Sequence, residues 1–287
     1  MSSRNLMQEN RMALKSESHR HIQKTGLKIK AFLERIRGMF PLSFYFYQGL
    51  RNLFRYPGFL FDFLRFNKAG KGIRFEIKLK DLYPCLNDKT ANTSFDRHYV
   101  FHTAWAARIL ADVKPVEHID ISSSVYFVSL VSAFIKVKFY DYRPAEMNLR
   151  GLQSEVASLL ALPFPDMSVS SLSCMHVVEH VGLGRYGDPI DCNGDLKAVA
   201  ELKRVLAKGG NLLFVVPIGG KPKIMFNAHR IYTYAQIISY FEELELVNFA
   251  LIPDCKNAGF IEQATEQMAD SQRYGCGCFW FKKRSRP

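Results

Sequence analysis

Strand-like and helix-like segments alternate along this chain from about residue 95 onward. Residues 95–113, "FDRHYVFHTAWAARILADV", have helical apolar spacing and precede a buried-strand pattern, "VEHIDI" (116–121). Further strands are expected at 135–141, weakly around 155–160, at 169–175, at 211–217, in "LELVNFALI" and in "CGCFWFKK"; further helices are expected at 125–134, 195–207 and "YTYAQIISYFEEL". This alternation predicts an α/β fold, in which helices cover both faces of a mostly parallel sheet.

The basic charge of the chain is concentrated before this region. Residues 1–80 contain 17 Lys and Arg against 5 Asp and Glu, whereas the whole chain has 39 and 27, so the entire net charge of +12 is N-terminal. The sequence therefore predicts two parts. A basic, aromatic-rich helical extension covers residues 1–80, of which the first 25 or so are expected to be mobile, and an α/β domain covers residues 81–287.

The extension is rich in both phenylalanine and arginine. Residues 31–66 contain nine phenylalanines, and interspersed arginines leave no run of the ~18 apolar residues that a spanning helix needs. Short amphipathic helices separated by Pro41 and Pro57 are expected. They are compatible with a peripheral position on the inner, anionic face of a membrane. A helical cap on the main domain remains an equal alternative. A nucleic-acid stacking platform is a third alternative. No recognisable nucleic-acid module is present, however, and nucleic acid is not expected to bind.

The cysteines indicate a reduced setting. Six cysteines are spread over the chain without a CxxC pair, and the first residues lack a secretory signal pattern. A cytoplasmic protein with buried, structural thiols is the expectation. Cys276 and Cys278 are two residues apart, a spacing that places both on one face of a strand.

Residues 176–191, "HVVEHVGLGRYGDPID", contain two motif strings that point to different chemistries. His176, Glu179 and His180 fit the H-x-x-E-H of a zinc peptidase helix, and residues 182–187 fit the G-x-G-x-x-G of a dinucleotide fingerprint. The glycines and Pro189 leave no room for a helix through the first string. No helix opens at the last glycine of the second. Neither motif is expected to function, and no metal site is predicted.

Polar residues follow four of the expected strands. In an open α/β sheet the carboxyl ends of neighbouring strands meet at one crevice, where ligands bind. The segments at these ends are Ser122–Ser124, Asp141–Arg143, His176–Asp188 and the region that contains Asn227, His229 and Arg230. The sequence therefore predicts one cleft lined by all four segments.

The segments "LPFPDMSVSSLSCMHVVEH" and "RVLAKGG" resemble the class I S-adenosylmethionine-dependent methyltransferases. Together with "DYRP", "FNAHRIY" and the loop "VEHVGLGRYGDPID", they more closely resemble domain-of-unknown-function family 268, a methyltransferase-like group that occurs among bacterial surface-glycan genes. The resemblance covers roughly residues 95–252. It implies a Rossmann-like fold with a seven-stranded sheet, S-adenosylmethionine as cofactor, and an acceptor such as a glycan, a nucleotide sugar or another small polar molecule.

The resemblance also assigns residues by position. Asp120, Ser122, Ser123 and Ser124 correspond to the first cofactor loop, Asp141 to the acid that holds the ribose hydroxyls, and Ser158 to the adenine-contacting position. The usual glycines of the first loop, D-x-G-x-G-x-G, are replaced here by Ser122, Ser124 and Tyr126. Glycine is used where the backbone approaches a ligand closely or takes torsions that a side chain resists. This departure leaves open a second hypothesis, a non-catalytic binding or scaffold protein with a degenerate cofactor loop.

Candidate roles for the remaining polar residues follow from their chemistry. His176, His180 and His229 are the candidate bases, because imidazole titrates near neutral pH. Arg185 and Arg230, with Arg143, are candidate clamps for a phosphate or carboxylate of the acceptor. Alternatively, these arginines form ion pairs with Asp188 or Asp141. Glu179, Asp188 and Asn227 complete the expected acceptor site, and Glu179 is expected to order its loop by accepting backbone N–H groups.

Overall fold

The computed structural model describes residues 41–69, 78–255 and 257–285. The expectation of mobility for the first 25 residues lies outside these ranges. The chain divides into two compact units at Thr93 and Ser94. The boundary expected at residues 80 and 81 stays a prediction.

One continuous helix, α1 (Pro41–Ala69), forms most of the described part of the N-terminal unit. The expected break at Pro57 was wrong, because Pro57 lies inside this helix. A proline inside a helix removes one backbone hydrogen bond but does not prevent the turns on either side from forming. Pro41 begins the helix, where a missing N–H costs nothing. No helix among the described residues is long and apolar enough to cross a bilayer.

The second unit is built on a seven-stranded sheet with the strand order β3-β2-β1-β4-β5-β9-β8. The strands are β1 (Glu117–Ile121), β2 (Lys136–Asp141), β3 (Leu152–Val156), β4 (Val169–Met175), β5 (Leu206–Ile218), β8 (Leu244–Ile252) and β9 (Gly275–Lys283). The pairs β1–β2, β2–β3, β1–β4 and β4–β5 are parallel, and β9 is antiparallel to both its neighbours. This is the Rossmann-like, mostly parallel sheet that was expected of a class I methyltransferase, so the predicted fold class is confirmed.

Helices cover both faces of this sheet. They are α2 (Arg97–Val113), α3 (Val125–Val131), α4 (Gly194–Val205), α5 (Tyr234–Tyr240) and α6 (Glu266–Asp270); β6 (Lys223–Met225) and β7 (His229–Ile231) form a separate hairpin. Successive residues of β5 point to opposite faces: Phe214 packs in one apolar cluster with α4 and α5, and Val215 packs in the other with α2 and α3. Because β5 is buried on both faces, it reads as a continuous apolar run.

Several expected elements have different bounds; β5, for example, begins at Leu206, five residues before the expected start. The weak strand expected around 155–160 is β3, which ends at Val156, and the chain then turns through Ser158, which bridges to Ala161. The helix expected over 125–134 ends at Val131. In both cases apolar residues continue the pattern past the end of the element, buried at Leu159 but exposed at Phe134, so periodicity alone placed the end too late.

Candidate active site

A cavity of about 250 Å³ lies at the carboxyl ends of the parallel strands, where β1 and β4 are neighbours and the strand order reverses. Ligands bind at this position in open α/β sheets. Its walls are Tyr99 of α2, Ser122 and Ser123 after β1, residues 141–143 after β2, residues 157–160 after β3, and His176, Val177, His180, Val181, Tyr186, Asp188 and Pro189 after β4. The four strand ends thus surround one cavity.

The loop after β1 turns sharply at Ser122. This residue has a φ of +54°, in the left-handed region where glycine is favoured, and its N–H donates to the Tyr140 carbonyl (2.8 Å). The next residue is held from both sides: Ser123 N–H donates to Asp120 (3.0 Å), and Ser123 Oγ accepts from the Met175 N–H (3.1 Å). Tyr126, which replaces the third glycine, has a side chain that is 81% exposed and does not line the cavity. The serine loop therefore keeps the cavity open.

Asp120 lies below this loop in a buried polar network that the sequence did not predict. Ser173 donates its hydroxyl to Asp120, and therefore accepts from Nε2 of His118 (2.8 Å). Nδ1 of the same neutral imidazole then accepts from Ser171 (2.8 Å). Burial raises the pKa of Asp120 to about 6 and lowers that of His118 to about 3. Asp120 is fully buried, so it supports the loop through Ser123 and does not line the cavity.

The next two strands bring Asp141 and Ser158 to the cavity. Asp141 ends β2, and one of its carboxylate oxygens accepts from the Arg143 N–H (2.7 Å), which fixes the side chain in a turn. Ser158 Oγ accepts from the Leu160 N–H (3.2 Å) in the loop after β3. Each of these two side chains is therefore held at the wall by a hydrogen bond from the backbone N–H two residues further on. Ser124 does not line the cavity; it is the residue directly before helix α3.

His176 directly follows β4 and points its ring at a buried carboxylate. Its φ is +58°, and its Nδ1 lies 2.7 Å from Oε1 of Glu179. Glu179 has no exposed surface and does not itself line the cavity. The expectation that Glu179 accepts backbone N–H groups was wrong: its partner is the imidazole of His176, and Oε2 has no hydrogen-bond partner among the described residues. This pairing fixes the orientation of His176 at the cavity wall.

His180 also lines the cavity and is neutral. Residues 178–180 form a single 3-10 turn, so His176 and His180 do not share an α-helical face as an H-x-x-E-H zinc site requires. Nδ1 of His180 donates to the Ala228 carbonyl (2.5 Å), which leaves the lone pair on Nε2, and this nitrogen lies 3.8 Å from Oε1 of Glu179. Burial lowers the pKa of His180, partly offset by Glu179. The pKa of His229 is lowered as well, but this ring does not line the cavity; its centroid is 6.5 Å from that of His180.

The loop after His180 closes one side of the cavity through Asp188. Its carboxylate accepts from the N–H groups of Gly182 (2.8 Å) and Tyr186 (3.2 Å). The guanidinium groups of Arg143 and Arg185 lie 4.7 and 5.0 Å from the centroid of the Tyr186 ring. Two cations therefore lie around one aromatic residue of the wall. The G-x-G-x-x-G string is part of this loop, and α4 begins only at Gly194, so it does not open a helix.

Besides Glu179, three of the predicted acceptor residues lie away from the wall. Arg230 is buried, donates to the Val181 carbonyl (2.7 Å) and lies 3.5 Å from Asp195, so its ion-pair partner is neither of the two expected acids. Asn227 is exposed on the turn between β6 and β7. Arg185 is outside the wall but contacts Tyr186 and donates to the Ala228 carbonyl (3.1 Å). Of the cavity residues, Tyr99 was missed by the sequence analysis.

Comparison with protein-family models finds two matches in the second unit. Residues 104–214 match the family described as "Methyltransferase domain", and residues 167–264 match the family described as "Caenorhabditis protein of unknown function, DUF268". The first match includes the strand ends that carry Asp120, Asp141 and His176; the second includes the loop with Asp188. No curated protein matches the chain significantly.

Solved structures show a similar arrangement at low sequence identity. The 1,6-didemethyltoxoflavin-N1-methyltransferase of Burkholderia thailandensis has 10% identity over 64% of this chain and 78% of its own, with a TM-score of 0.47. The YcgJ protein of Bacillus subtilis has 14% identity over 64% and 99%, with a TM-score of 0.45. The N-methyltransferase NodS of Bradyrhizobium japonicum has 12% identity over 65% and 87%, with a TM-score of 0.42.

The fold assignment depends on the strand order of the sheet itself, and the two regions that match family models agree with it. The resemblance seen in the sequence is confirmed by both. The second unit therefore has the sheet order of the class I methyltransferase fold, and it matches the methyltransferase-domain model over residues 104–214 and the DUF268 model over residues 167–264.

Proposed function

We propose that this protein transfers the methyl group of S-adenosylmethionine to a small polar acceptor. The observation that supports this most directly is the convergence on one cavity of Ser122, Ser123, Asp141 and Ser158, from three strand ends, with His176 and His180 from a fourth. The first group matches the positions where the methyltransferase pattern places cofactor contacts, and the second supplies candidate bases. The matched methyltransferase model implies the same cofactor.

The residues after β1, β2 and β3 are suited to hold an adenosyl group. The carboxylate of Asp141 offers acceptors to a pair of ribose hydroxyls, as charge-assisted hydrogen bonds. The left-handed turn at Ser122 brings the backbone to the cavity wall with only a small side chain. The replaced glycines thus do not obstruct the site, since Ser122 adopts the required torsion and Tyr126 points away.

His180 is the best candidate for the base. When S-adenosylmethionine is bound, its sulfonium supplies an activated methyl group, and the acceptor needs alignment and the removal of one proton. The neutral ring of His180 has a lone pair on Nε2, because Nδ1 donates to Ala228, and the Glu179 carboxylate 3.8 Å from Nε2 stabilises the ring after it accepts a proton. His176 is less suited, since its Nδ1 is paired with Glu179 and its Nε2 lies 3.3 Å from the sulfur of Cys276.

The acceptor side of the cavity favours an anionic or hydroxyl-rich molecule. Arg143 and Arg185 flank Tyr186 there, and guanidinium groups bind phosphate and carboxylate oxygens well. A glycan or a nucleotide sugar has both hydroxyls for methylation and groups for these cations. Surface-polysaccharide biosynthesis is the setting in which we place this activity.

A ligand titration tests the cofactor proposal and separates it from the scaffold alternative. We expect purified full-length protein to bind S-adenosylhomocysteine at one site in isothermal titration calorimetry. NAD⁺, the ligand that a true G-x-G-x-x-G fingerprint would take, should give no binding heat. Absence of binding at millimolar S-adenosylhomocysteine would overturn the proposed activity and favour a scaffold.

We further propose that α1 binds an anionic membrane surface. Leu50, Leu53, Phe54, Phe61 and Leu64 recur at helical spacing on one side of α1 and are all exposed. Arginines flank this stripe, among them Arg51 and Arg55, which also bind Asn87 of the same unit (2.7 and 2.6 Å). An exposed apolar stripe with basic neighbours is the pattern of helices that lie in the headgroup layer.

Phe61→Glu is expected to reduce co-sedimentation with phosphatidylserine vesicles about tenfold or more, since one buried Phe contributes roughly 1.5–3 kcal/mol. Phe66→Glu is the matched control: Phe66 is equally exposed (67% against 65%) but lies five residues on, on another side of the helix. Equal pelleting of both variants with the unmodified protein would contradict the membrane role of this face.

A further inference from the structure

His98, His176 and Cys276 come together at the edge of the cavity from three distant parts of the chain. His98 lies in the first turn of α2, His176 follows β4, and Cys276 lies in β9. Their ligand atoms, one nitrogen from each ring and the sulfur, all lie within 4.8 Å of one another. We propose that these three side chains bind a single divalent metal ion of the zinc type.

The distances are close to those of a bound ion. Cys276 Sγ lies 3.3 Å from His176 Nε2, and the ring centroids of His98 and His176 are 5.4 Å apart. With Zn–N bonds of ~2.0–2.1 Å and a Zn–S bond of ~2.3 Å, tetrahedral geometry places neighbouring ligand atoms roughly 3.3–3.6 Å apart and two bound ring centroids roughly 5 Å apart. The rings of His98 and His176 are stacked at 10° in this structure, so one ring has to turn about its Cβ–Cγ bond before both nitrogens face the same ion.

The orientation of His176 is that of a metal ligand. Its Nδ1 pairs with Oε1 of Glu179 (2.7 Å), a carboxylate with no exposed surface, and this directs Nε2 toward Cys276. Ligating histidines commonly donate their second ring nitrogen to a carboxylate, which fixes the tautomer and makes the ligand more basic. This arrangement explains why an acid is buried beside His176.

The charges also balance around an ion. A metal ion binds the neutral form of an imidazole, so His98 and His176 add no charge to the site. A thiol that coordinates a metal ion is deprotonated, so the bound ion releases the Cys276 thiol proton to solvent. The resulting thiolate and the Glu179 carboxylate together neutralise two positive charges.

The same contacts also resemble a Cys–His–Glu nucleophilic triad, but access argues against one. Cys276 has no exposed surface and does not line the cavity, so a substrate does not reach its sulfur. A metal ion is small enough to be enclosed. Thiolate with imidazole favours zinc over magnesium or calcium, which take oxygen ligands. Three protein ligands leave a fourth position for water or for an acceptor group.

Metal content of the purified full-length protein tests this proposal directly. After metal removal and equilibrium dialysis against Zn²⁺, we expect about one zinc per chain and the release of about one proton on binding. With Co²⁺ in its place, we expect a thiolate-to-cobalt charge-transfer band. Retention of well below one ion per chain would overturn the site. Because no S-adenosyl ligand is involved, this result is independent of the calorimetric test of the proposed activity.

Variants locate the ion. Cys276→Ala should abolish the charge-transfer band, and His98→Ala should weaken zinc binding on the order of 100-fold or more. Cys278→Ala is the matched control, since Cys278 is equally buried in the same strand two residues on, and it should keep both. Circular dichroism shows whether each variant is folded. If Cys276→Ala does not fold, Cys276→Ser takes its place. A band that survives in either Cys276 variant, or that disappears in Cys278→Ala, would refute the assignment.

Discussion

Asp141→Asn is expected to weaken the binding of S-adenosylhomocysteine about 100-fold. Asparagine has nearly the same shape but lacks the charge, and replaces one of the two acceptor oxygens by a donor. Hydrogen bonds to a charged group contribute about 1.5–3 kcal/mol each, and a loss of about 3 kcal/mol corresponds to roughly 100-fold in affinity. Isothermal titration calorimetry of the variant beside the unmodified protein measures the change.

The control for this substitution is Asp112→Asn, which removes the same charge from an exposed position near the end of α2, outside the cavity wall. It should leave the affinity within about twofold, which excludes a general effect of net charge. The internal hydrogen bond from Arg143 N–H survives in Asp141→Asn, because the amide oxygen also accepts. Unchanged affinity in Asp141→Asn would therefore mean that the ribose is not held here, rather than that the turn was lost.

The sheet was predictable because its strands are buried on both faces and separated by helices with their own period. The pattern from Leu212 to Ile218 predicts a strand without information from other segments. The strand order follows from the right-handed crossover rule and the family resemblance. Predictions from local sequence patterns were wrong where the surrounding structure overrides the local preference. Pro57 reads as a helix break, yet the rest of α1 forms without its N–H.

The cavity was predictable in part, for a related reason. Strand ends meet at a known edge of the sheet, so Ser122, Asp141 and His176 were expected to converge from their positions alone. Tyr99 reaches the cavity from α2, whereas His98 of α2 and Cys276 of the antiparallel strand β9 meet His176 beside it. These contacts span 77 residues or more in sequence, from Tyr99 to His176, and no local pattern encodes them.

Chemistry alone also misassigned one residue. An arginine beside a predicted cleft suggests a ligand clamp, but Arg230 is buried and its guanidinium group bonds to the Val181 and Cys192 carbonyls. Both roles use the same fork of N–H donors. The two roles, ligand clamp and structural donor, differ only in packing, because the guanidinium N–H groups face solvent in the first and backbone carbonyl groups in the second.

The glycine loop that covers the cavity gives the second large effect, since two of its glycines share a torsion but differ in the space around them. Gly182 and Gly187 have φ values of +80° and +84°. A Cβ at Gly187 meets nothing within 4 Å, whereas a Cβ at Gly182 would collide with the backbone of Asp191 and lie 3.3 Å from Cα of Gly194. Torsional strain is common to both positions, and backbone collision belongs to Gly182 alone.

Gly187→Ala should therefore lower the free energy of unfolding by about 1 kcal/mol, the cost of the left-handed torsion. Gly182→Ala should lower it by about 3 kcal/mol or more, because overpacking against rigid backbone adds to that strain. Urea unfolding measures both. The Gly182 variant should also lose affinity for S-adenosylhomocysteine, since Gly182 N–H binds Asp188 and a shifted loop displaces the wall that Asp188 and Tyr186 form. Equal costs for the two substitutions would show that the loop yields to a Cβ, and that its close contact with Asp191 does not hold the cavity wall in place.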